Sequence, residues 1–229
     1  MQPPDARPTT SRLLALSGVV FAVLFLIGWF ASGGDAPDYG APDQDWIDWA
    51  DDNQWKSRVG AFAMLLAGFV FLHFAATVRT ALGTAEDSAE LARVAFAGAI
   101  TGMAGMAMAI VIISSATTEG ADVNPAVTRA ITSASAGPFM LSAMGFAAFL
   151  MPAGLLTLRS GVFARWTGVV ALIGAVGFII AFAAVLSGLG EDSVFGFGFF
   201  PGVLALVIWS IATSIDRYRA ASDQTIAAG

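Results

Sequence analysis

The sequence predicts an all-α protein, a bundle of six transmembrane helices with both termini in the cytoplasm. The chain is 57% hydrophobic and only 12% charged, whereas soluble domains average about 45–50% and about 25%. Six segments are apolar over roughly 20 residues, the helix length that spans a hydrocarbon core of about 30 Å. Basic residues collect on one side of the resulting topology. Lipid is therefore the expected solvent.

The six predicted spans follow one another with short connections, so the chain is interpreted as a single integral membrane domain, residues 1–229. The first span follows a basic flank, as a signal peptide would, but its apolar run of about 20 residues exceeds the 7–15 of a signal peptide. We therefore expect it to be uncleaved. The predicted spans are residues 13–32, 59–82, 92–115, 137–158, 166–188 and 194–215.

The basic residues predict the orientation, because short cytoplasmic loops carry an excess of lysine and arginine. Of the eleven basic residues, eight fall on one side: Arg7, Arg12, Arg79, Arg93, Arg159, Arg165, Arg217 and Arg219. The other side has Lys56, Arg58 and Arg129. Both termini are thus expected in the cytoplasm, and the plasma (inner) membrane of a bacterium is the expected location.

The stretch "DQDWIDWADDNQWKSR", residues 43–58, lies on the outer side between spans one and two. At about 100° per residue its side chains separate into two faces, which predicts an amphipathic helix that begins after Pro42. We expect this helix to lie in the membrane interface, where tryptophan is enriched. Its apolar face, towards lipid, contains Trp46, Ile47, Trp49 and Ala50; its acidic face, towards water, contains Asp45, Asp48, Asp51 and Asp52.

A second short outer helix is expected between spans three and four. Asn124 is a preferred N-cap residue, and Pro125 suits the first helical position. A helix running from Pro125 to Leu158 would be about 51 Å long, too long for one perpendicular span. We therefore predict a break at Gly137-Pro138.

The spans have no Asp, Glu, Lys or Arg between their ends, which argues against a pump or an ion-coupled transporter. Gly98 with Gly102, and Gly198 with Gly202, have the spacing of close helix contacts; packing within the bundle is preferred to a homodimer seam. Pro152 and Pro201 leave two alternatives open, a kink or a broken helix that binds a ligand. A faint parallel repeat, "GAFAMLLAGF" (60–69) and "GPFMLSAMGF" (137–146), is a further hypothesis.

His73, the one histidine, lies within predicted span two. It is interpreted as a hydrogen-bonded packing residue, with a polar ligand contact inside the membrane as the alternative. Haem would need Met103, Met106 or Met108 as its second ligand, and methionine in a packed core is more common. We therefore predict no cofactor.

No catalytic constellation is found, and the protein is interpreted as non-enzymatic. Cysteine is absent and lysine occurs once. "SASAG" (133–137) is similar to the serine motif of rhomboid-type proteases, but span six has no histidine to act as base. The EF-hand pattern fails from Asp43 onwards, so no metal site is predicted; a loose Ca²⁺ contact would need Glu119, Asp122, Glu191 and Asp192. Without a basic stripe, nucleic acid is excluded as a partner.

Three segments resemble a family of uncharacterised bacterial membrane proteins with a domain of unknown function: "DNQWKSRVGAF", "FLHFAATVRTAL" and "FARWTGVVALIG". The resemblance covers residues 13 to 215. It implies a six-helix integral membrane protein and no activity, cofactor or site residue.

The expected function is binding or accessory. The protein would hold an apolar or lipid-like molecule, or a membrane partner, beneath its outer helix, with the lipid bilayer as its surroundings. One alternative is an uncoupled small-solute permease that acts as a homodimer; its permeation path would be lined by groups such as Ser114, Ser115, Ser142 and Ser210. The other alternative is a non-catalytic subunit of a membrane enzyme complex.

Overall fold

The computed structural model describes residues 14–32, 36–38, 40–83, 88–117, 124–186 and 195–227. Within these ranges the regular structure is helical throughout. The helices are α1 (Ser17–Ala31), α2 (Asp43–Leu82), α3 (Ala89–Ala116), α4 (Pro125–Ala134), α5 (Ala136–Ser160), α6 (Arg165–Ala183) and α7 (Phe195–Ala227), with a 3₁₀ turn, Ala184–Leu186, after α6.

The prediction of an all-α, multi-pass membrane protein is confirmed. Five stretches are long and apolar enough to cross a membrane: Asp43–Leu82, Ala89–Ala116, Pro125–Ser160, Arg165–Ala183 and Gly196–Ser222. The first predicted span is represented by α1, which is apolar but has 15 residues, about 22 Å of helix. Residues 1–13, with Arg7 and Arg12, lie outside the described ranges.

The outer helix predicted between spans one and two is continuous with span two. Helix α2 runs for 40 residues from Asp43, about 60 Å at 1.5 Å per residue. The sequence has no glycine or proline between Pro42 and Gly60, so nothing interrupts its backbone hydrogen bonds. The acidic stretch is therefore a continuous extension of a long apolar helix rather than a separate helix in the interface plane.

The second outer helix, α4, begins as predicted. The Asn124 side chain accepts a hydrogen bond from the Ala126 N–H at 3.0 Å, and Pro125 occupies the first turn. The interruption falls at Ser135, two residues before the predicted one, and Ser135 keeps a right-handed helical backbone. Pro152 and Pro201 lie inside continuous helices, so the broken-helix alternative is not realised.

Six helices form a ring in the order α1, α2, α3, α5, α6, α7, in which α7 packs back against α1. The Gly18 N–H of α1 donates to Ser214 Oγ of α7 at 3.1 Å and so connects the first helix with the last. Glycines bring neighbouring backbones together, as predicted for bundle packing. A Cβ added to Gly145 of α5 would lie 2.1 Å from the Gly102 nitrogen of α3, and one added to Gly198 would lie 2.4 Å from the Gly177 oxygen of α6.

Aromatic rings fill the centre of the ring of helices. Neighbouring centroids are 4.4–6.0 Å apart along Phe21, Phe71, Phe149 and Trp209 and along Phe71, Phe146, Phe178 and Phe199. Such separations are typical of favourable aromatic pairs. Because α1 supplies the fully buried Phe21 and Phe25, the first helix is an integral part of this core.

The hypothesis of an internal repeat gains no support from the environments of the matched residues. Phe69 is 62% exposed, whereas its counterpart Phe146 is fully buried. A Cβ on Gly60 would meet Ser32 at 2.6 Å, whereas one on Gly137 would meet nothing within 4 Å. The four sequence matches reflect a composition rich in glycine and phenylalanine rather than equivalent positions.

Candidate functional site

The first two turns of α2 and the whole of α4 form a cap over one end of the bundle, which we call the outer cap. Arg129 of α4 connects its two parts: the guanidinium donates to the Ala41 carbonyl at 3.1 Å and forms an ion pair with Asp43. Its carbon lies 5.9 Å from the centre of the Trp46 ring, within the range of a cation–π contact. Since Asp43 is largely exposed, the ion pair itself contributes little stability, on the order of 0–1 kcal/mol.

Tryptophan packing attaches the outer cap to the bundle. Trp46 and Trp49 are buried and meet edge to face, with centroids 5.9 Å apart. They pack with Ala50 against Ala36, Ala41 and Ile113. The tryptophans thus face protein, whereas the sequence analysis placed them towards lipid. The reason is that the first turns of α2 continue the axis of its membrane-spanning part, so their apolar face meets the ends of neighbouring helices. Ile47 is half-buried.

The predicted acidic face is exposed to solvent. Asp45, Asp48, Asp51 and Asp52 are all exposed, and so is Trp55, at 73%. Among the described residues, no three carboxylate or histidine side chains lie close enough together to hold a metal ion. The partners named for a loose Ca²⁺ contact, Glu119, Asp122, Glu191 and Asp192, lie outside the described ranges.

A cavity of about 440 Å³ opens beneath the outer cap. Its walls come from the ends of α1, α3, α5 and α7 that lie next to the outer cap, and Trp49 of α2 and Thr132 of α4 contribute from the cap itself. Aromatic and aliphatic side chains predominate. We call it the outer cavity; it is lined by Trp29, Phe30, Ser32, Ala36, Trp49, Ile110, Ile113, Thr132, Phe139 and Phe200.

One polar group of this lining has no partner within the described part of the chain. The Thr132 hydroxyl oxygen is buried and makes no hydrogen bond, whereas the Ser32 hydroxyl donates to the Trp29 carbonyl at 2.7 Å. Two further groups of the outer cap, Arg129 Nε and the Trp46 indole nitrogen, are also buried without a partner among the described residues. A buried polar group left unpaired costs about 1–3 kcal/mol, so each one is a reason to expect a further hydrogen-bonding partner.

The inner limit of the outer cavity is aromatic. Trp29 stacks on Phe199 at 5.7 Å, and Phe139 meets Phe199 edge to face at 5.8 Å. Phe199 in turn packs against Phe178 in the fully buried core. The cavity therefore ends on the ring-filled centre of the bundle.

Two of the serines proposed to line a permeation path bond to their own helices. Ser142 donates to the Phe139 carbonyl at 2.8 Å, and Ser115 donates to the Ile112 carbonyl at 2.7 Å. Ser210 is buried and its hydroxyl has no partner among the described residues; Ser114 is buried as well. The aromatic core occupies the middle of the bundle.

His73 lies on the outside of the bundle and does not point into it. The residue is exposed, its Nδ1 is 3.1 Å from the Phe69 carbonyl of its own helix, and its ring lies beside Phe69. Met103 and Met106 are buried in the core. The expected hydrogen bond is present, but it is made to the residue's own helix, and the ring packs on Phe69 at the exterior rather than in the core.

The sequence analysis did not identify Arg129, Thr132 and Trp29 as members of one site. A signal was present for Arg129, because it is the only basic residue of the 116–136 connection. Thr132 follows it by three residues and so shares its helix face. Trp29 ends an apolar run and could only be assigned to a membrane boundary.

Comparison with known proteins identifies a family but adds no activity. The family model described as Domain of unknown function (DUF4386) matches residues 16–213. The match covers most of the chain and confirms the resemblance to a family of unknown function. No curated protein and no solved structure gave a match.

Proposed function

This chain belongs to the DUF4386 family, and we propose that it is a non-enzymatic membrane protein that binds an apolar or lipid-like molecule in the outer cavity. One observation carries the proposal: a space of about 440 Å³ with a mostly aromatic and aliphatic lining lies beneath the outer cap. Small-molecule sites usually enclose about 300–1,000 Å³, with mostly apolar walls and a few polar groups that fix orientation.

The lining favours a ligand with an oxygen at one end. Thr132, whose buried hydroxyl has no partner among the described residues, can donate or accept a hydrogen bond. A hydroxyl or carbonyl oxygen next to Thr132 would satisfy its hydroxyl, while the apolar part of the ligand packs against Trp29, Phe139 and Phe200.

Binding is favoured over permeation because the cavity meets the aromatic core instead of a polar passage. A permeating solute would have to displace the rings of Phe178 and Phe199, which are buried and in mutual contact. Tightly packed interiors resist such displacement. The cavity is suited to holding a molecule that arrives from the outer side or laterally from the bilayer.

The ligand site is tested by photolabelling in lipid nanodiscs with a long-chain alcohol that carries a diazirine. We expect labelling to concentrate on the peptides that contain Trp29, Ile113 and Phe139. Ile113→Trp, which fills the cavity, should reduce that labelling at least severalfold. Ile100→Trp, on the exposed surface of the same helix, is the matched control. Uniform labelling along the bundle exterior, unchanged by Ile113→Trp, would refute the proposal.

The polar anchor is tested by comparing the alcohol probe with a hydrocarbon diazirine of equal length. Thr132→Val keeps the side-chain shape but removes the hydroxyl, so it should weaken labelling by the alcohol, by about fivefold if one hydrogen bond of about 1 kcal/mol is lost. Labelling by the hydrocarbon should stay unchanged. Ser133→Ala, at the exposed neighbouring position, is the control; equal effects on both probes would contradict the role of Thr132.

We further propose that the protein resides in the plasma membrane of a bacterium, with its arginine-rich end in the cytoplasm. The outer cap then faces away from the cell, and its acidic face is free to meet a cationic membrane partner. A homodimer is the alternative to such a partner. The arginine distribution and the positive-inside rule support this orientation.

A further inference from the structure

A second cavity, of about 430 Å³, lies at the end of the bundle opposite the outer cap. It is formed by the end of α2 and the beginning of α3, and its walls are short side chains: Ala76, Thr80, Gly83, Ala89 and Ala92. Two long side chains, Arg79 from α2 and Arg93 from α3, complete the lining. We call it the inner groove. It is separate from the outer cavity and does not depend on the function proposed for that site.

Within the described part of the chain, neither Arg79 nor Arg93 forms an ion pair. Arg79 lies over the ring of Phe96, with its central carbon 5.3 Å from the ring centroid. This contact restrains the guanidinium but uses none of its N–H groups, which remain donors for a phosphate.

The position along the helix matches the headgroup level of a membrane. Arg79 is 21 residues after Arg58 on α2, about 32 Å along the axis, close to the thickness of a hydrocarbon core. Leu72, on the same side of α2, and Phe69, on the adjacent side, are exposed, about two and three turns towards the membrane centre. The polar groove is thus followed by about 15 Å of apolar α2 surface. One phospholipid requires this arrangement, with its headgroup in the groove and an acyl chain along the helix.

The remaining arginines of this end have different surroundings. Arg217 donates to the Thr77 carbonyl and ties α7 to α2. Arg159 and Arg165 are exposed at the turn between α5 and α6, and Arg219 is exposed on α7. Only Arg79 and Arg93, of the arginines in the described ranges, line this groove.

We propose that Arg79 and Arg93 bind the phosphate of an anionic phospholipid in the inner groove, with an acyl chain along Leu72 and Phe69. Basic pockets between transmembrane helices on the cytoplasmic side are suited to such headgroups, and each arginine near the surface contributes about 1 kcal/mol. A zwitterionic lipid carries its own cation beside the phosphate, so it gains less from the pair.

The test is native mass spectrometry of the full chain in mild detergent, titrated with phosphatidylglycerol and, separately, with phosphatidylcholine. Phosphatidylglycerol should bind more tightly, and Arg79→Gln/Arg93→Gln should weaken its binding by about 30-fold. Arg159→Gln/Arg165→Gln removes the same charge from the same end and should change binding by less than about twofold, since it leaves the groove intact. Arg79→Lys/Arg93→Lys, which keeps the charge, should retain most of the affinity.

Two results would overturn the proposal. Equal weakening by the Arg79/Arg93 and Arg159/Arg165 glutamine pairs would mean that only the net charge of this end attracts the lipid. Displacement of phosphatidylglycerol by millimolar inorganic phosphate would assign the groove to free phosphate rather than to a lipid. A folded protein is verified in each case by its thermal transition. The single variants Arg79→Gln and Arg93→Gln, each expected to weaken binding by about fivefold, keep the test valid if the double variant fails to fold.

Discussion

Gly145 in the middle of α5 sets how closely two helices of the bundle approach. A methyl group added there would lie 2.1 Å from the backbone nitrogen and 2.5 Å from the Cα of Gly102 on α3. Both atoms belong to the backbone, so no side-chain rotation can relieve the contact. In a membrane, where lipid removes most of the hydrophobic driving force between helices, such close backbone packing is a main source of association.

We predict that Gly145→Ala destabilises the protein by about 1–3 kcal/mol, the usual cost of overpacking a tight interior. For a chain of this size, the apparent Tm in detergent should fall by roughly 2 to 12 °C. Gly137→Ala is the matched control, because it changes the same residue type in the same helix where an added Cβ meets nothing within 4 Å. An equal Tm for both variants would show that α3 and α5 are not held at this distance.

At the scale of elements, the extension of α2 is the feature that most affects the outer cavity. Its attachment depends on Trp46 and Trp49, which are 3% and 8% exposed. Truncation of a buried tryptophan commonly costs about 3–5 kcal/mol. Among the described residues, no helix covers the acidic side of the first turns of α2, so the tryptophan packing is their main attachment to the bundle.

We therefore expect Trp46→Ala/Trp49→Ala to release residues 43–52 while the rest of α2 stays folded. Hydrogen–deuterium exchange should accelerate by at least tenfold in that segment and remain unchanged in residues 60–82. Trp55→Ala is the control, because Trp55 belongs to the same helix and is 73% exposed. Unchanged protection of 43–52 in the double variant would mean that the helix is stable without its tryptophan contacts.

The faces and caps of these elements were predictable from sequence, whereas their partners were not. Periodicity separated Trp46 and Trp49 from the aspartates, and the structure shows the same division into buried and exposed residues. Asn124 and Pro125 marked the start of α4 because capping is a local interaction. Arg129 and Asp43 are 86 residues apart in the sequence. Rules that relate neighbouring residues cannot predict such a pairing.

His73 illustrates the same limit. The sequence places it within a membrane-spanning helix, and inward orientation is the usual expectation for a polar residue there. The structure leaves it outside, hydrogen-bonded to the Phe69 carbonyl. Helix α2 is apolar around much of its circumference within the membrane, so composition alone did not indicate which side faces the core.

For the whole molecule, the ring of helices gives two chemically different ends. Among the described residues, one end has six exposed aspartates, Asp38, Asp43, Asp45, Asp48, Asp51 and Asp52, and the other has most of the arginines. The aromatic core separates an apolar cavity at the acidic end from a cationic groove at the basic end. Orientation in the membrane therefore decides which aqueous compartment and which lipid leaflet each site meets.

The predicted orientation is tested with single cysteines, since the chain has none of its own. Ser133→Cys on α4 and Ala220→Cys on α7 are exposed positions at opposite ends, and neither substitution changes the charge. In intact bacterial cells, a membrane-impermeant maleimide should label Ser133→Cys, whereas Ala220→Cys should react only after lysis. Full reaction of both variants in denaturant verifies that each thiol is intact. Because basic residues lie eight to three on the Ala220 side, labelling of Ala220→Cys in intact cells would contradict the positive-inside assignment. It would place the outer cavity in the cytoplasmic leaflet.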